Sequence, residues 1–298
     1  MIPLTVVLRS FNDAALLPRT LAALAAQRGV TIQLHVCESA STDNSQAILD
    51  AHGYARCTRL TQASYWSSAV LNAACQAADT ELIAFVNSDA ILLSEEVLLR
   101  LCESVLADGQ IAGAFARQEP RVNAAPLTRL ELHLAFACRE RLGADAQRLS
   151  LVCSVIRRSV WLDTRFDERL TYAEDWTWSR DIEARGLRTV YVPAVAVEHS
   201  HDYTLHQAWR RAWGDAAAMA YRQHAPPKSW LRCVLFTWPR RCLSWSRLAI
   251  RQGLLPHLWH LPGWLWPRLD GAWQGARAGW QASHGPNPTA RQPMPPAR

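Results

Sequence analysis

The sequence predicts an α/β protein in which a mostly parallel sheet carries helices on both faces and is followed by a helical extension. Two observations carry this prediction. Over about the first 110 residues, short apolar runs alternate with segments of helical periodicity, a pattern typical of parallel sheets. From residue 228 onward the chain becomes rich in Trp and Arg, and prolines divide it into short helical segments.

Composition narrows the class of protein. Hydrophobic residues make up 49% of the 298 residues, enough for a sizeable core, so extensive disorder is not expected. The chain begins with a β-rich run that lacks a charged region and a cleavage site, which predicts a strand rather than a signal peptide. No apolar run reaches the roughly 18 residues of a membrane-spanning helix. Eight scattered Cys without a C-x-x-C pair favour buried free thiols in a reducing cytoplasm.

Strands and helices alternate through the first part of the chain. Strands are predicted at residues 4–8, 31–36 and 81–86, with a weaker strand near 56–60. Helices are predicted at residues 16–27, 45–51, 67–78 and around 97–102. Gly29 is a stop signal for the first helix, and Ser94 is an N-cap for the last.

The rest of the chain is less regular. Further strands are predicted at residues 111–115, 151–156 and 188–192. Further helices are predicted at residues 127–141, 174–185 and 204–223. Pro226 and Pro227 then break the pattern, and the proline-rich residues 284–298 predict a disordered tail.

Polar segments follow three of the predicted strands, at residues 9–13, 38–43 and 87–89. Ligands of parallel sheets bind beyond the carboxyl ends of the strands, so we expect these segments to converge on one site. The acid and hydroxyls between Glu38 and Asp43 suit hydrogen bonds to a base or a ribose, and equally suit a capped turn. The sequence has no P-loop, no dinucleotide fingerprint and no G-x-S-x-G elbow, which argues against those nucleotide sites and against a serine hydrolase.

Asp89 and His199 are candidate metal ligands. A carboxylate after a buried strand can bind Mg²⁺ or Mn²⁺ together with phosphate oxygens of a substrate, although such an Asp can also simply cap a loop. His199 and His201 are two residues apart and share one face of an extended segment. We take His199 as the ligand, with a structural role for either His as the alternative.

Glu174 and Asp175 form an acidic pair flanked by Tyr172, Trp176 and Trp178. On a helix, adjacent side chains point about 100° apart, so only one acid of the pair can face a site. The aromatic neighbours predict a half-buried cleft, where burial raises the pKa of a carboxyl group toward useful basicity. Solvated acids in a first helical turn are the alternative. Together with the metal candidates, the pair predicts group transfer from an activated, metal-bound donor to an alcohol.

Taken in chain order, these segments resemble glycosyltransferase family 2, the inverting enzymes of the GT-A fold. The family's V-V-I-P-T-Y-N, V-V-D-S-G-S-T-D, F-x-x-G-x-x-x-N, D-x-D and E-D motifs are matched by residues 6–12, 36–43, 65–72, 85–89 and 174–176. Residues 197–211 resemble the rhamnosyltransferase-type branch, and the resemblance as a whole covers about residues 3–225.

Four positions depart from the family's pattern. Glu38 replaces an Asp, Ala40 and Ser68 replace glycines, and Asn87 leaves the D-x-D place with one certain carboxylate. The basic residue that often precedes the position of Asn72 is also missing. These changes leave undetermined which nucleobase the donor carries and how tightly a metal binds. The acidic pair itself matches the family's pattern.

The resemblance implies a single in-line displacement that moves a sugar, rhamnose being the first choice, from a dTDP- or UDP-sugar to a hydroxyl of a glycan or lipid-linked acceptor in cell-surface polysaccharide synthesis. Asp175 would be the base, and Glu174 would position it or touch the acceptor. Asp89 and His199 would hold the metal. Trp176 and Trp178 would stack on a sugar of the acceptor, with a core role for one of them as the alternative. The implied donor-binding residues are Ser10, Phe11, Asp13, Glu38, Ser41, Asn72, Asn87 and Ser88. The implied division is a nucleotide-sugar half at 1–110, an acceptor half at 111–225, an extension at 226–283 and a tail at 284–298.

The extension is basic and aromatic. Residues 228–277 contain eight Lys and Arg, and up to residue 280 the segment holds eight of the fourteen Trp. After Asp215 the sequence contains one acid, Asp270. Trp and cations together suit an anionic membrane surface, which predicts a peripheral protein on the inner face of the plasma membrane. A helical subdomain that packs its Trp on the catalytic core is the alternative, and nucleic acid is not expected because no recognition motif accompanies the charge.

Two further functions compete with rhamnosyl transfer. One is transfer of another hexose or of an N-acetylhexosamine by the same fold. The other is an inactive GT-A-like protein that acts as a membrane-associated partner. The Asn-Ser-Asp sequence at residues 87–89 favours the inactive protein, and the intact Glu174–Asp175 pair argues against it.

Overall fold

The computed structural model describes residues 1–61, 65–137, 148–224, 226–285 and 291–296. The chain forms two compact units, each built from separate stretches of sequence. The first unit comprises Met1–Val122, Leu132–Phe166 and Trp178–Ser200 and contains the β-sheet. The second comprises Asn123–Glu131, Asp167–Thr177 and His201–Arg298, and its regular structure is helical.

Eight strands among the described residues form one sheet. They are β1 (Ile2–Ser10), β2 (Val30–Glu38), β3 (Arg56–Arg59), β4 (Leu82–Asn87), β5 (Ile91–Leu92), β6 (Ile111–Glu119), β7 (Cys153–Arg157) and β8 (Arg188–Glu198). The order is β3-β2-β1-β4-β7-β6-β8-β5. The pairs β1–β2, β1–β4, β2–β3 and β6–β8 are parallel, whereas β7 runs antiparallel to β4 and β6, and β5 runs antiparallel to β8. The predicted fold class is therefore confirmed, and β5 was not predicted because two residues show no periodicity.

The predicted helices are present, with bounds that differ by a few residues from those predicted. They are α1 (Leu17–Ala25), α2 (Ser45–His52), α3 (Ser67–Gln76), α4 (Val97–Leu106), α5 (Pro126–Leu132), α6 (Arg158–Asp163), α7 (Glu174–Glu183), α8 (Leu205–Gln223), α9 (Trp230–Arg232), α10 (Trp238–Arg251) and α11 (Leu261–Ser283). A π-helical segment follows α5 at His133–Ala137, and a second one, Cys233–Thr237, joins α9 to α10. The predicted helix at 127–141 thus extends to Ala137, and its last four positions lie outside the described residues.

The side chains of β1 alternate between two apolar cores, one on each face of the sheet. Leu4, Val6 and Leu8 pack in the core that contains residues of α1 and α4. Val7 packs in the other core, which contains residues of α3, α6 and α7. A strand that is apolar on both faces reads as a continuous hydrophobic run, which is why β1 and β4 were readily predicted.

In the second unit, α8 and α11 pack with unusually close backbones. Gly271, Gly275 and Gly279 of α11 lie against the backbone carbonyl oxygens of Trp209, Trp213 and Ala217 of α8, respectively, and a Cβ at any of the three glycines would overlap the facing oxygen. Thr204 begins α8 with a capping box, in which its hydroxyl accepts from the Gln207 amide and the Gln207 side chain accepts from the Thr204 amide. These contacts make the two helices the main packing element of this unit.

The remaining predictions concern the tail, the thiols and the membrane. The side-chain oxygen of Gln292 accepts a hydrogen bond from the Thr171 amide, and the backbone amide of Gln292 donates to the Arg169 carbonyl. These bonds differ from the disorder expected for the tail at this residue.

The seven described Cys are free and buried or half-buried, and burial raises the pKa of the Cys153 thiol to about 12. Within the described residues, no helix combines the length and hydropathy needed to cross a bilayer.

Candidate active site

The end of β2 carries a buried carboxylate that closes a tight turn. Glu38 is 1% exposed and accepts from the Ala40 amide at 3.0 Å, from the Ser41 amide at 2.7 Å and from the Gln46 side chain at 3.1 Å. Ala40 has a φ of 58°, in the left-handed region where glycine is unstrained. The carboxylate therefore holds a strained turn in place and brings Glu38 and Ser41, two of the predicted donor-binding residues, together.

The ends of β1, β2 and β4 are joined by hydrogen bonds. The Ser41 hydroxyl accepts from the Asn12 amide at 3.0 Å, and the Ser45 hydroxyl accepts from the Asp13 amide at 3.0 Å. The Ser88 hydroxyl, just beyond β4, donates to the Asp13 carboxylate. The three polar segments thus converge at one edge of the sheet, as expected for a ligand site beyond strand ends.

The other predicted donor-site residues occupy different environments. Asn87 accepts a hydrogen bond from the Arg9 guanidinium at 2.6 Å. Ser10 is buried, and its hydroxyl has no hydrogen-bond partner among the described residues, whereas Phe11 is exposed. Asn72 lies deeper, in α3. Its side-chain NH₂ donates to the Phe166 carbonyl, and its side-chain oxygen accepts from the Phe166 backbone amide and the Trp161 indole. These bonds give Asn72 a structural task and do not favour its predicted contact with the nucleotide.

Asp89 and His199 face each other across the ends of β4 and β8. The His199 Nε2 lies 3.6 Å from Asp89 Oδ1, and both side chains are buried. The side-chain oxygen of Gln118 lies 2.9 Å from His199 Nδ1, while the side-chain NH₂ of Gln118 donates to the Ser150 hydroxyl. Gln118 therefore accepts from an Nδ1–H, and the Nε2 lone pair is left directed toward the carboxylate.

These ligand atoms fit a divalent cation. Two acceptors that face each other in a buried place repel unless a proton or a metal ion lies between them. Metal–ligand bonds of about 2.1 Å keep neighbouring ligand atoms roughly 3–4 Å apart, and the Asp89–His199 separation lies in this range. Asp89 and His199, both in the first unit, therefore belong to a group of side chains that could hold a metal ion.

Arg121, which the sequence analysis did not identify, fixes Asp89 from the other side. Its guanidinium donates to the Asp89 carboxylate at 3.0 Å and to the Asp89 backbone carbonyl at 2.8 Å. The same side chain donates to the Ser200 carbonyl, next to His199. Arg121 lies two residues beyond β6, so its position at a strand end was the signal that could have revealed it.

The acidic pair begins α7, in the second unit. Ala173, with a φ of 52°, precedes it. Glu174 is 9% exposed and Asp175 is half-buried, and Asp175 Oδ1 accepts from the Trp176 amide at 2.8 Å. The two acids therefore differ in exposure, as adjacent helical positions should.

The α8 side chains around this pair are cationic and closely packed. The ring of Tyr172 lies so close to Gly214 that an added Cβ would be 2.6 Å from it. Burial raises the pKa of Tyr172, and the charges of Arg210 and Arg211 oppose this shift. Arg211 pairs with Asp215 at 3.0 Å, and Asp215 first, followed by Tyr203 and Asp175, raises the pKa of Arg211. Asp175 is therefore close enough to Arg211, in the same unit, for the two charges to attract each other.

The two Trp of the motif differ. Trp176 is half-buried, whereas Trp178 is 1% exposed, donates its indole N–H to the Thr164 carbonyl at 2.6 Å and packs against Phe166. This burial speaks against the predicted acceptor contact for Trp178 and leaves Trp176 as the candidate. The sequence does not reveal which of the two Trp is buried, because the helical period does not say which side of α7 packs against the core.

Known proteins resemble this chain in sequence and in fold. The O-antigen chain rhamnosyltransferase RfbN of Salmonella typhimurium is 24% identical over 219 residues, which are 70% of this chain and 69% of the relative. Mannosyltransferase PcManGT from Pyrobaculum calidifontis, solved with GDP-Man and Mn²⁺, has a TM-score of 0.57 at 18% identity and covers 96% of this chain and 76% of its own. Glucosyl-3-phosphoglycerate synthase from Mycobacterium tuberculosis, solved with Mg²⁺ and uridine diphosphate, has a TM-score of 0.55 at 19% identity and covers 76% and 80%.

At these identities the two solved structures show the fold, which is the predicted GT-A arrangement. The family evidence comes from a sequence profile described as glycosyltransferase like family 2, which matches residues 3–215. The matched span contains the joined strand ends, Asp89 with His199, and the acidic pair. The chain therefore belongs to glycosyltransferase family 2.

Proposed function

We propose that this protein is an inverting, metal-dependent glycosyltransferase that moves rhamnose from a dTDP- or UDP-linked donor to a hydroxyl of a glycan or lipid-linked acceptor in cell-surface polysaccharide synthesis. The observation that carries the proposal is the buried Asp89–His199 pair beside the joined strand ends of a family 2 chain. The O-antigen rhamnosyltransferase relative supports the choice of sugar.

The metal would be Mg²⁺ or Mn²⁺, held by Asp89 and His199. Mn²⁺ and Mg²⁺ accompany the nucleotides in structures of similar fold. When bound, the ion would neutralise charge that develops on the departing nucleoside diphosphate. Arg121 keeps the Asp89 carboxylate turned toward His199 and brings a positive charge to the same place.

Asp175 would take the proton of the acceptor hydroxyl as that oxygen attacks the anomeric carbon. A general base of this kind contributes on the order of 10²–10⁴-fold to the rate. Glu174, which is more buried, would position Asp175, and Trp176 would offer a ring face to a sugar of the acceptor. Tyr172 packs on Gly214 and so keeps the start of α7 in place.

The nucleotide would lie at the joined ends of β1, β2 and β4. Its proposed contacts are Ser10, Phe11, Asp13, Glu38, Ser41, Asn87 and Ser88. The buried, unpartnered hydroxyl of Ser10 supports this location, because a buried polar group normally has a hydrogen-bond partner. The basic, aromatic segment 228–281 would attach the protein to the inner face of the plasma membrane, where a lipid-linked acceptor is found.

The test is a transfer assay with a panel of nucleotide sugars, a lipid-linked glycan acceptor and Mn²⁺, in which NMR determines the anomeric configuration of the product. The proposal expects transfer from one rhamnose donor, with the configuration at the anomeric carbon opposite to that in the donor. Transfer from a different hexose donor would replace the sugar and keep the enzyme class. Retained configuration would contradict the single displacement.

A further inference from the structure

We propose that an open pocket in the helical extension binds the phosphate group of a lipid headgroup. The inference rests on the membrane contact proposed above and assigns it to particular side chains. The pocket has a volume of about 430 Å³. Four cations and two hydroxyls line it: Lys228, Arg232, Arg240, Arg241, Thr237 and Ser244.

The chain brings these residues together through one nearly continuous helical run. The segments α9, Cys233–Thr237 and α10 follow one another without a break, so Arg232, Arg240 and Ser244, at multiples of four residues, share a face. The Ser229 hydroxyl caps α9 by accepting from the Arg232 amide at 3.3 Å. The Lys228 carbonyl accepts from the Trp273 indole at 2.9 Å, which ties the start of the run to α11. The start of the pocket wall is therefore held in place by two hydrogen bonds.

No protein carboxylate balances the charge of this pocket. Within the part of the chain that the structure describes, none of the four cations forms an ion pair. Asp270, the one acid after Asp215 in the sequence, accepts from the Trp209 indole and the Gln274 amide instead. Four exposed like charges around one cavity repel each other, and an anion in the cavity removes that repulsion.

The donor groups match phosphate better than a carboxylate. Guanidinium groups present their N–H donors as a planar fork that binds phosphate oxygens in pairs, and hydroxyls can add further donors. Arg240 lies over the Phe236 ring at 5.6 Å, a contact that orients the guanidinium without neutralising it. The pocket thus offers several oriented donors to one multiply charged oxyanion.

Exposed apolar side chains beside the pocket indicate a lipid rather than a free phosphate. Leu231, Leu235 and Leu243 are 66%, 55% and 53% exposed and form a stripe next to the basic one on the same helical run. Trp259, beyond α10, is 90% exposed. A basic face beside an apolar face is the pattern of a helix that lies in a membrane interface, with cations at the headgroups and apolar groups below them.

The test measures co-sedimentation of the full chain with vesicles. Three compositions are used: phosphatidylcholine alone, phosphatidylcholine with phosphatidic acid, and phosphatidylcholine with a carboxylate lipid at the same surface charge. The pocket variant is Arg240→Gln with Arg241→Gln. The control, Arg247→Gln with Arg251→Gln, removes the same charge from exposed positions of α10 outside the pocket. A third variant, Arg240→Lys with Arg241→Lys, keeps the positive charge but lacks the planar pair of N–H donors of a guanidinium group.

An arginine near an anionic surface contributes roughly fivefold to binding, so loss of any two should cost up to about twentyfold on phosphatidic acid vesicles. The pocket variant should lose more than the control, because only its two arginines hold the phosphate. The lysine variant should lose the preference for phosphate over carboxylate. Circular dichroism checks that each variant is folded.

Equal losses in the pocket variant and the control would overturn the pocket and leave the membrane contact intact. Absence of wild-type binding to every vesicle would overturn both, without bearing on sugar transfer, which is measured separately. Binding of inorganic phosphate that is as tight as binding to phosphatidic acid vesicles, and that is lost in the pocket variant, would replace the lipid by a free anion.

Discussion

At the scale of single residues, the carboxylate of Asp89 is held by groups from two other strand ends. Arg121, beyond β6, donates to one carboxylate oxygen, and His199, beyond β8, faces the other. Gln118, in β6, determines which nitrogen of His199 is free to bind. Such partners of a ligand usually matter nearly as much as the ligand itself.

Gln118→Ala should therefore weaken metal-dependent nucleotide binding. Loss of a residue that orients a metal-bound His typically costs about 10–100-fold in metal affinity. Titration of Mn²⁺ in the presence of nucleotide measures the effect, with Gln110→Ala, an exposed position just before β6, as the control. An unchanged Mn²⁺ affinity would mean that His199 does not depend on Gln118 for its orientation.

Asp175→Asn should lower the turnover number by about 10²–10⁴-fold, because the amide cannot accept the proton of the acceptor hydroxyl. Nucleotide affinity should stay within about twofold, since Asp175 is proposed to act on the acceptor hydroxyl and not to contact the nucleotide. Glu183→Gln, which removes an exposed acid from the other end of α7, is the matched control. A variant with undiminished turnover would remove Asp175 from the proposed mechanism.

The sequence could predict that Asp89 and His199 lie close together, because each follows an apolar run and the strand ends of a parallel sheet meet at one edge. It could not predict Arg121 or Gln118, since their contacts depend on the pairing of β6 with β8 and on the register of that pairing. The motif predicts a nucleotide contact for Asn72, and the aromatic surroundings of the acidic pair suit Trp178 equally for the acceptor or for the core. The structure instead surrounds them with hydrogen bonds and apolar contacts of the core.

At the scale of secondary-structure elements, the packing of α8 on α11 depends on glycines spaced by four residues. Each of them lies against a backbone carbonyl of α8, at Trp209, Trp213 or Ala217. Helices approach this closely only where no Cβ separates them, so the three positions decide how tightly the second unit is packed.

Gly275→Ala should destabilise the protein by about 1–3 kcal/mol or more, because the new methyl group overlaps the Trp213 carbonyl oxygen and forces the helices apart. Gly263→Ala in the same helix meets no atom within 4 Å and should be neutral or stabilising by up to about 1 kcal/mol. Urea unfolding of the two variants measures the difference. Similar unfolding free energies for both would show that α11 does not need this close approach.

The glycine spacing in α11 is visible in the sequence, but the helix that it faces is not, because α8 and α11 are separated by about 40 residues. Pro267 illustrates the opposite case. Prolines are expected to divide this part of the chain into short helical segments, whereas Pro267 lies inside α11, which continues despite the missing hydrogen bond. Packing of α11 against α8 offsets the loss of this hydrogen bond. Rules based on local sequence cannot predict this, because α8 is distant in the sequence.

At the scale of the whole molecule, the sequence predicts the sheet better than it predicts which segments form each compact unit. Alternating strands and helices predicted the sheet, and the profile match to residues 3–215 agrees with the span expected from the motifs. The two compact units, however, exchange short stretches of chain, so Asn123–Glu131 and Asp167–Thr177 join the helical unit rather than the sheet. Composition along the sequence cannot reveal such exchanges, because they depend on contacts between distant segments.

The most direct measurement is calorimetric titration of UDP, dTDP and GDP into the wild-type protein and Asp89→Ala, each with and without Mn²⁺. The account predicts that one nucleotide binds the wild-type protein, that Mn²⁺ strengthens this binding, and that Asp89→Ala abolishes the effect of the metal. Nucleotide binding that is the same with and without Mn²⁺ would contradict the metal site. Absence of binding by every nucleotide would contradict the transferase and favour an inactive membrane-associated partner.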